Sequence, residues 1–163
     1  MFTDLKLEFE KFLNHSFANF MFVDGVSGMG KTSFAKETIN EFNNLHKGET
    51  SVLLTQAPYI DNEREFIRSL LRDEFVFNKK MSKTNLKTIL LTKLSNCRYL
   101  VIDDSQNLLI SRRLLMNHFW LMSWLVNETN IKVMYLGTIP FQEFLEEYDT
   151  IFRRSVVYNL KAS

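Results

Sequence analysis

The sequence predicts an α/β fold with a parallel sheet of about five strands and helices on both faces. Short apolar runs typical of strands recur along the 163-residue chain, and stretches with helical spacing of apolar residues separate them. The run Tyr99-Leu-Val-Ile102 is apolar throughout, as expected of a parallel strand buried on both faces. Strands that alternate with helices form parallel sheets through right-handed crossovers.

The individual elements follow from this alternation. The first helix is predicted at residues 4–15, where Leu5, Phe9 and Phe12 share one face. The strands are predicted at residues 19–23, 51–55, 99–102, 132–136 and 156–160. The remaining helices are predicted at residues 33–46, 62–76, 84–95, 111–128 and 140–148.

Polar residues lie at several of the predicted helix ends. Lys47-Gly48 is a suitable stop for the second helix. Asn62 is a suitable N-cap for the third helix, and either Ser82 or Thr84 suits the fourth. The helix at 111–128 is apolar almost all round, which is typical of a buried helix, whereas an exposed tryptophan face would mark a surface for a partner.

Length and composition indicate one soluble globular domain at 1–163, with a helix and lead-in at 1–17 and the core at 18–160. Apolar residues make up 45% of the chain and charged residues 24%. The single cysteine, Cys97, excludes an intrachain disulfide and fits a reducing cytosol. The most apolar stretch, 114–126, is too short to span a bilayer. We therefore expect a cytoplasmic protein with no membrane partner.

The stretch Gly25-Val-Ser-Gly-Met-Gly-Lys31-Thr32 satisfies the pattern G-x-x-x-x-G-K-[ST] between a predicted strand and a predicted helix. In such a loop, backbone N–H groups surround phosphate oxygens at a helix N-terminus, the lysine reaches the β- and γ-phosphates, and the threonine hydroxyl is a Mg²⁺ ligand. The predicted phosphate-binding residues are Gly25, Ser27, Gly28, Met29, Gly30, Lys31, Thr32 and Ser33.

An acid pair, Asp103-Asp104, directly follows the buried strand at 99–102. Ligands of open parallel sheets bind at the carboxyl ends of the strands, so this pair should lie beside the phosphate loop. We predict that Asp103 holds Mg²⁺ together with Thr32. Asp104 would orient or deprotonate the attacking water, although its side chain is one methylene shorter than that of Glu.

Two further positions are candidates for a catalytic role. Thr138 follows the strand at 132–136 and can contact the γ-phosphate or the attacking water, or it can cap the helix predicted from Pro140. Arg153 and Arg154 precede the last strand. An arginine at a subunit edge can reach the γ-phosphate of a neighbouring molecule, and ordinary surface arginines are the alternative.

Net charge is only +1, but the charges are segregated along the chain. Residues 75–102 contain no acid and six basic residues. This segment is either a DNA-contacting surface or a solvated lysine face. The DNA-contact candidates are Lys79, Lys80, Lys83 and Lys87.

With these elements in this order, the chain resembles the AAA+ ATPases, and within them the transposition regulators of the TniB, TnsC and MuB type. The phosphate loop carries the superfamily resemblance. The finer resemblance lies in Val101-Ile-Asp-Asp-Ser-Gln-Asn-Leu-Leu109, in Asn127-Glu-Thr-Asn-Ile-Lys-Val-Met-Tyr-Leu-Gly-Thr138 and in Asp149-Thr-Ile-Phe-Arg-Arg154. It covers roughly residues 15–160.

The resemblance implies a three-layer P-loop NTPase core that binds ATP and Mg²⁺. It also implies that Thr138 is the sensor residue and that Arg153 or Arg154 is the arginine finger. Members of this group assemble on DNA as homo-oligomers and present a target to a transposase. The resemblance thus implies an origin in a bacterium, phage or mobile element. Their DNA-facing elements lie between the second and third strands, where this chain has its acid-free segment.

Two departures from the group set the alternatives. The group usually has Asp-Glu where this chain has Asp103-Asp104, so hydrolysis is expected to be slow or nucleotide to act chiefly as an assembly switch. The helical lid should begin after Leu160, where three residues remain, so we expect either a truncated form or a protein that naturally lacks the lid. The alternatives to a transposition regulator are a helicase loader or IstB-like replication ATPase, and a lidless, weakly hydrolysing interaction module.

Overall fold

The computed structural model describes residues 3–15, 17–25, 28, 30–45, 52–71, 81–95, 97–138 and 146–160. Five strands form one sheet in the order β2-β3-β4-β1-β5, and every neighbouring pair is parallel. The strands are β1 (Phe20–Asp24), β2 (Val52–Gln56), β3 (Tyr99–Asp103), β4 (Lys132–Gly137) and β5 (Ser155–Asn159). The helices are α1 (Thr3–Asn14), α2 (Lys31–Leu45), α3 (Glu63–Leu71), α4 (Lys83–Leu94), α5 (Arg112–Thr129) and α6 (Asp149–Phe152), with a 3₁₀ helix at Ser105–Ile110.

Helices cover both faces of the sheet. Successive strand residues point to opposite faces, so each face presents apolar side chains against which helices pack. In β1, Phe22 contributes to a core shared with α3, α4 and α5. Its neighbours Met21 and Val23 contribute to a second core, shared with α1 and α2. The predicted three-layer α/β fold is confirmed.

The predicted strand bounds agree with the structure to within one residue at each end. The N-caps are also as expected: the Glu65 N–H donates to Asn62 Oδ1 at 3.2 Å. Of the two candidates for α4, Ser82 is the cap, since its hydroxyl accepts from the Asn85 N–H at 3.2 Å. The stop at 47–48 and most of the helix predicted at 140–148 lie outside the described residues.

Two short elements were not predicted, the 3₁₀ helix after β3 and the four-residue α6. Neither is long enough to show a helical period in the sequence. Helix α5 is largely buried, as expected, but Trp120 is 65% exposed. Within the described part of the chain, no helix combines the length and apolar character that crossing a membrane requires.

The tip of β4 is locked against the 3₁₀ helix. A Cβ atom at Gly137 would lie 2.1 Å from Ser105 Oγ, so a larger residue there would require the Ser105 side chain to move. The Gly25 N–H donates to the Gly137 carbonyl at 3.0 Å, which ties the start of the phosphate loop to the same point. The carboxyl ends of β1, β3 and β4 are thereby held together.

Candidate nucleotide site

The phosphate loop joins β1 to α2. Gly28 and Gly30 have φ angles of +83° and +86°, in the left-handed region where glycine is favoured. Helix α2 begins at Lys31, immediately after the loop, so its free N–H groups face the loop. Ser27 and Met29 lie outside the described residues. The described glycines give the predicted cradle its backbone shape.

Lys31 lies at the base of this loop and is only 7% exposed. Its Nζ donates to the Gly25 carbonyl at 2.6 Å. Burial lowers the pKa of this lysine, and the negative charges of Asp103, Asp24 and Asp104 oppose that shift. The ammonium group therefore lies near three carboxylates and is hydrogen-bonded to the first residue of the phosphate loop.

Thr32 and Asp103 meet across the site, as predicted. The Thr32 hydroxyl donates to Asp103 Oδ2 at 2.6 Å, although the two residues are 71 positions apart in sequence. Both groups present oxygen atoms, which are the ligands that Mg²⁺ prefers. The donor set fits this ion, with Thr32 and Asp103 as the residues that would hold it.

Asp104 is held in a constrained conformation next to Asp103. Its φ and ψ of 54° and 44° are left-handed, which is uncommon for a residue with a side chain. Its N–H donates to Asp103 Oδ1 at 2.8 Å. Its carboxylate accepts from Gln56 Nε2 at 2.7 Å and from Gln106 Nε2 at 3.4 Å. The second acid therefore lies at the site with its orientation set by two amides.

These groups surround an open cleft of about 350 Å³. Its lining residues are Gly28, Gly30, Lys31, Thr32, Ser33, Asp103, Asp104, Gln106, Leu136, Gly137 and Thr138. Thr138 lies at the tip of β4, and its N–H donates to Gln106 Oε1 at 3.3 Å. Its alternative role as a cap for a helix from Pro140 falls on residues outside the described part.

Arg153 and Arg154 are not in this cleft. They precede β5, whose first residue pairs with Phe20 at the opposite end of β1. The five residues of β1 separate this edge from the phosphate loop by roughly 16 Å. Neither arginine can therefore reach a phosphate bound in its own cleft.

The two arginines also differ in their own contacts. Arg154 donates to Asn19 Oδ1 from Nε at 2.9 Å and from Nη2 at 2.6 Å, and to Asn127 Oδ1 from Nη1 at 2.9 Å. Arg153 is exposed and pairs with Asp149 at 3.0 Å on the short helix α6. Arg154 holds the fold together, whereas Arg153 is accessible to a neighbouring molecule.

The lysine segment has acidic neighbours in space that the sequence does not show. Lys83 and Lys87 both pair with Glu63 of α3, because α3 lies against α4. Lys87 Nζ also lies 4.8 Å from the centre of the Trp124 ring. Lys79 and Lys80 lie outside the described residues.

Sequence reasoning assigned no role to Gln56 and Gln106. Gln56 is the last residue of β2, so the same rule that located Asp103 at the end of β3 applies to it. Gln106 follows Asp104 by two residues and enters the cleft because the chain turns into the 3₁₀ helix there.

A five-stranded parallel sheet with this loop, a threonine-aspartate contact and an acid pair at its carboxyl edge defines a P-loop NTPase. In the order β2-β3-β4-β1-β5, the strand that leads into the loop, β1, lies between β4 and β5. Strand β4 in turn pairs with β3, which leads into the acid pair. A family model described as "AAA domain" matches residues 15–145. The chain belongs to this family, that of the AAA+ P-loop ATPases.

Solved structures of an ORC1 protein and of DnaA replication initiators share the fold. ORC1 of Aeropyrum pernix in complex with DNA has a TM-score of 0.68 at 15% identity, over 98% of this chain and 44% of that one. DnaA bound to AMPPCP and single-stranded DNA has a TM-score of 0.64 at 16% identity, over 99% and 47%. Domain III of DnaA from Thermotoga maritima has a TM-score of 0.63 at 17% identity, over 98% and 62%.

The likeness to these structures concerns the fold alone. The chain spans about half the length of the solved chains that it matches. No curated protein matches its sequence.

Proposed function

We propose that the chain is an ATP- and Mg²⁺-dependent switch that assembles on DNA in several copies and hydrolyses ATP slowly. The observation that carries this proposal is the contact of Thr32 with Asp103 at 2.6 Å, beside the buried Lys31. Three groups with separate tasks in phosphoryl transfer meet there, although Asp103 lies 71 positions from Thr32 in the chain.

The chemistry assigned to the cleft uses these groups in order. N–H groups of the loop and Lys31 bind the phosphates, and Thr32 with Asp103 would hold Mg²⁺, which neutralises phosphate charge when bound. Asp104 accepts a proton from a water molecule, the water oxygen bonds to the γ-phosphorus, and the bond from that phosphorus to the bridging oxygen of ADP breaks. The Asp104 carboxylate already accepts hydrogen bonds from Gln56 and Gln106, which supports slow turnover.

Completion of the site requires a second copy of the chain. Arg153 is exposed at the amino edge of the sheet, where it can enter the cleft of a neighbouring molecule. Its ion pair with Asp149 is solvent-exposed and therefore weak enough to exchange for a phosphate. Arg154 is the weaker candidate for this role, because its guanidinium already donates hydrogen bonds to Asn19 and Asn127.

DNA contact is proposed for the region between β2 and β3. Because Lys83 and Lys87 share Glu63, their positive charge is partly compensated, and Lys79 and Lys80 become the stronger candidates. The finer proposal is a regulator of transposition that recruits or activates a transposase, and the sequence motifs support it. A replication ATPase is the second candidate, favoured by the fold shared with the replication initiator DnaA bound to single-stranded DNA and with ORC1 in complex with DNA.

The proposal is tested with Lys31→Ala and, as a matched control, Lys36→Ala, which changes an exposed lysine on the same helix. We expect Lys31→Ala to weaken binding of a fluorescent ATP analogue at least about 100-fold and to abolish ATP-stimulated DNA binding, because the phosphates lose their cation. Lys36→Ala should change neither.

Lys79→Ala plus Lys80→Ala should reduce the slope of log affinity for DNA against log salt by about 2.

Unchanged ATP affinity in Lys31→Ala would overturn the nucleotide-switch proposal. ATP binding without any DNA binding in the unmodified chain would support the interaction module instead.

A further inference from the structure

One amide in the cleft touches two strand tips. Gln106 Nε2 donates to Asp104 Oδ1 at 3.4 Å, and Gln106 Oε1 accepts from the Thr138 N–H at 3.3 Å. The opposite orientation of the amide would place its oxygen against the carboxylate and its NH₂ group against an N–H donor. The two neighbours therefore fix the orientation, and Gln106 joins the end of β3 to the end of β4.

The backbone on both sides of Gln106 is anchored. Ser105 is fully buried against Gly137, where a Cβ atom would lie 2.1 Å from the Ser105 hydroxyl oxygen. The Asn107 N–H donates to the Asp104 carbonyl at 3.0 Å, and Asn107 Nδ2 donates to the Ala57 carbonyl at 3.1 Å. The side chain of Gln106 is thus held over the cleft by the 3₁₀ helix, so it can transmit a displacement.

We propose that Gln106 is a positioning residue that couples Thr138 to Asp104. This coupling role rests on the proposed ATP hydrolysis, and neither the acid pair nor Thr138 performs it alone. The Asp104 carboxylate must face the attacking water to accept its proton. Gln106 sets that direction, and a phosphate contact that moves the Thr138 backbone changes the direction through the same amide.

The kinetic test compares Gln106→Ala with Gln106→Glu. The alanine variant loses both contacts, whereas the glutamate variant keeps an oxygen for the Thr138 N–H and places a carboxylate against Asp104. We expect each to lower kcat roughly 10-fold with KM for ATP changed less than about twofold, because positioning acts on the chemical step. A kcat equal to that of the unmodified chain in both variants would overturn the proposal, as would a loss confined to KM.

A second test does not depend on turnover. In ¹⁵N-labelled protein, Asp104→Asn should shift the backbone amide resonance of Thr138, and this shift should disappear when Gln106 is already alanine. If the Thr138 shift on Asp104→Asn is the same with and without Gln106, the coupling does not exist. Failure of ATP binding in the unmodified chain would instead overturn the proposed function and leave this resonance test interpretable.

Discussion

At the carboxyl edge of the sheet, charged side chains line an open cleft. At the amino edge, other charged side chains donate hydrogen bonds that connect segments of the chain. Lys31 and Asp103 illustrate the first edge, in a cleft of about 350 Å³. Lys132 illustrates the second: its Nζ donates to the carbonyls of Phe12, His15 and Ala18 at 2.7, 2.7 and 2.6 Å. The same parallel sheet thus has one edge available to a ligand and one edge that holds the fold together.

Arg153 is the exception at the amino edge. It is exposed, and within the described part of the chain its side chain pairs with the carboxylate of Asp149, while the adjacent Arg154 donates three hydrogen bonds to asparagines. Substitutions of these two neighbouring arginines therefore test directly whether an exposed side chain at this edge differs in role from a hydrogen-bonded one.

The largest expected effect concerns catalysis between molecules. Arg153→Ala should lower ATP turnover about 1,000-fold with little change in ATP affinity, because it removes a charge that acts on the transferring phosphate. Arg154→Ala should lower the melting temperature and act on turnover only through stability. Turnover is measured with purified protein over a range of concentrations.

Mixing provides the control for this prediction. Arg153→Ala supplies an intact cleft and Lys31→Ala supplies an intact arginine, so the mixture should recover turnover that neither variant has alone. Normal turnover of Arg153→Ala, or a mixture with no recovery, would show that this arginine does not act across an interface.

The next effect concerns stability at the amino edge. Lys132→Met should lower the free energy of unfolding by about 2 kcal/mol, since three carbonyls at the end of α1 lose a charged donor. For a chain of this size, the melting temperature should fall by about 4–8 °C. ATP affinity should be unchanged, because Lys132 lies at the edge away from the cleft.

Lys6→Met is the matched control for Lys132→Met. Lys6 forms an exposed ion pair with Glu41, so its loss should lower the melting temperature far less than the loss of Lys132 does. Equal effects of the two substitutions would contradict the structural role assigned to Lys132.

Sequence reasoning found the carboxyl edge because strand ends and motifs are local features. Asp103 follows an apolar run and Lys31 lies in a recognisable loop, so the topology of a parallel sheet was sufficient to bring them together. Gln56 and Gln106 were not assigned because a glutamine at a strand end has no motif, and its partner is known only when strand order and side-chain directions are known.

The charge pattern shows the limit of the same reasoning. Residues 75–102 lack acids in sequence, yet Glu63 reaches Lys83 and Lys87 because α3 and α4 lie side by side. The roles of Arg153 and Arg154 were likewise inseparable in sequence, since the partners Asn19 and Asn127 are distant along the chain.

The smallest expected effect concerns the pH dependence of stability, and it arises between the two edges, at the middle of β4. His118 of α5 is buried, and its Nε2 lies 2.8 Å from the Tyr135 hydroxyl. Burial lowers the pKa of His118 to about 3, from 6.5 for an exposed histidine. Between these values the unfolded chain binds a proton that the folded chain does not, so this residue makes the folded state less stable as the pH falls.

His118→Gln should therefore reduce the dependence of the unfolding free energy on pH by up to about 1.4 kcal/mol per pH unit between pH 6 and pH 4, measured by urea titration. Tyr135→Phe keeps the buried imidazole, so it should lower stability at every pH while the slope remains. If both variants keep the pH dependence of the unmodified chain, His118 binds its proton equally in the folded and unfolded states, which contradicts the prediction. Neither variant should alter ATP binding, because the histidine belongs to the core that joins the edges and to neither edge itself.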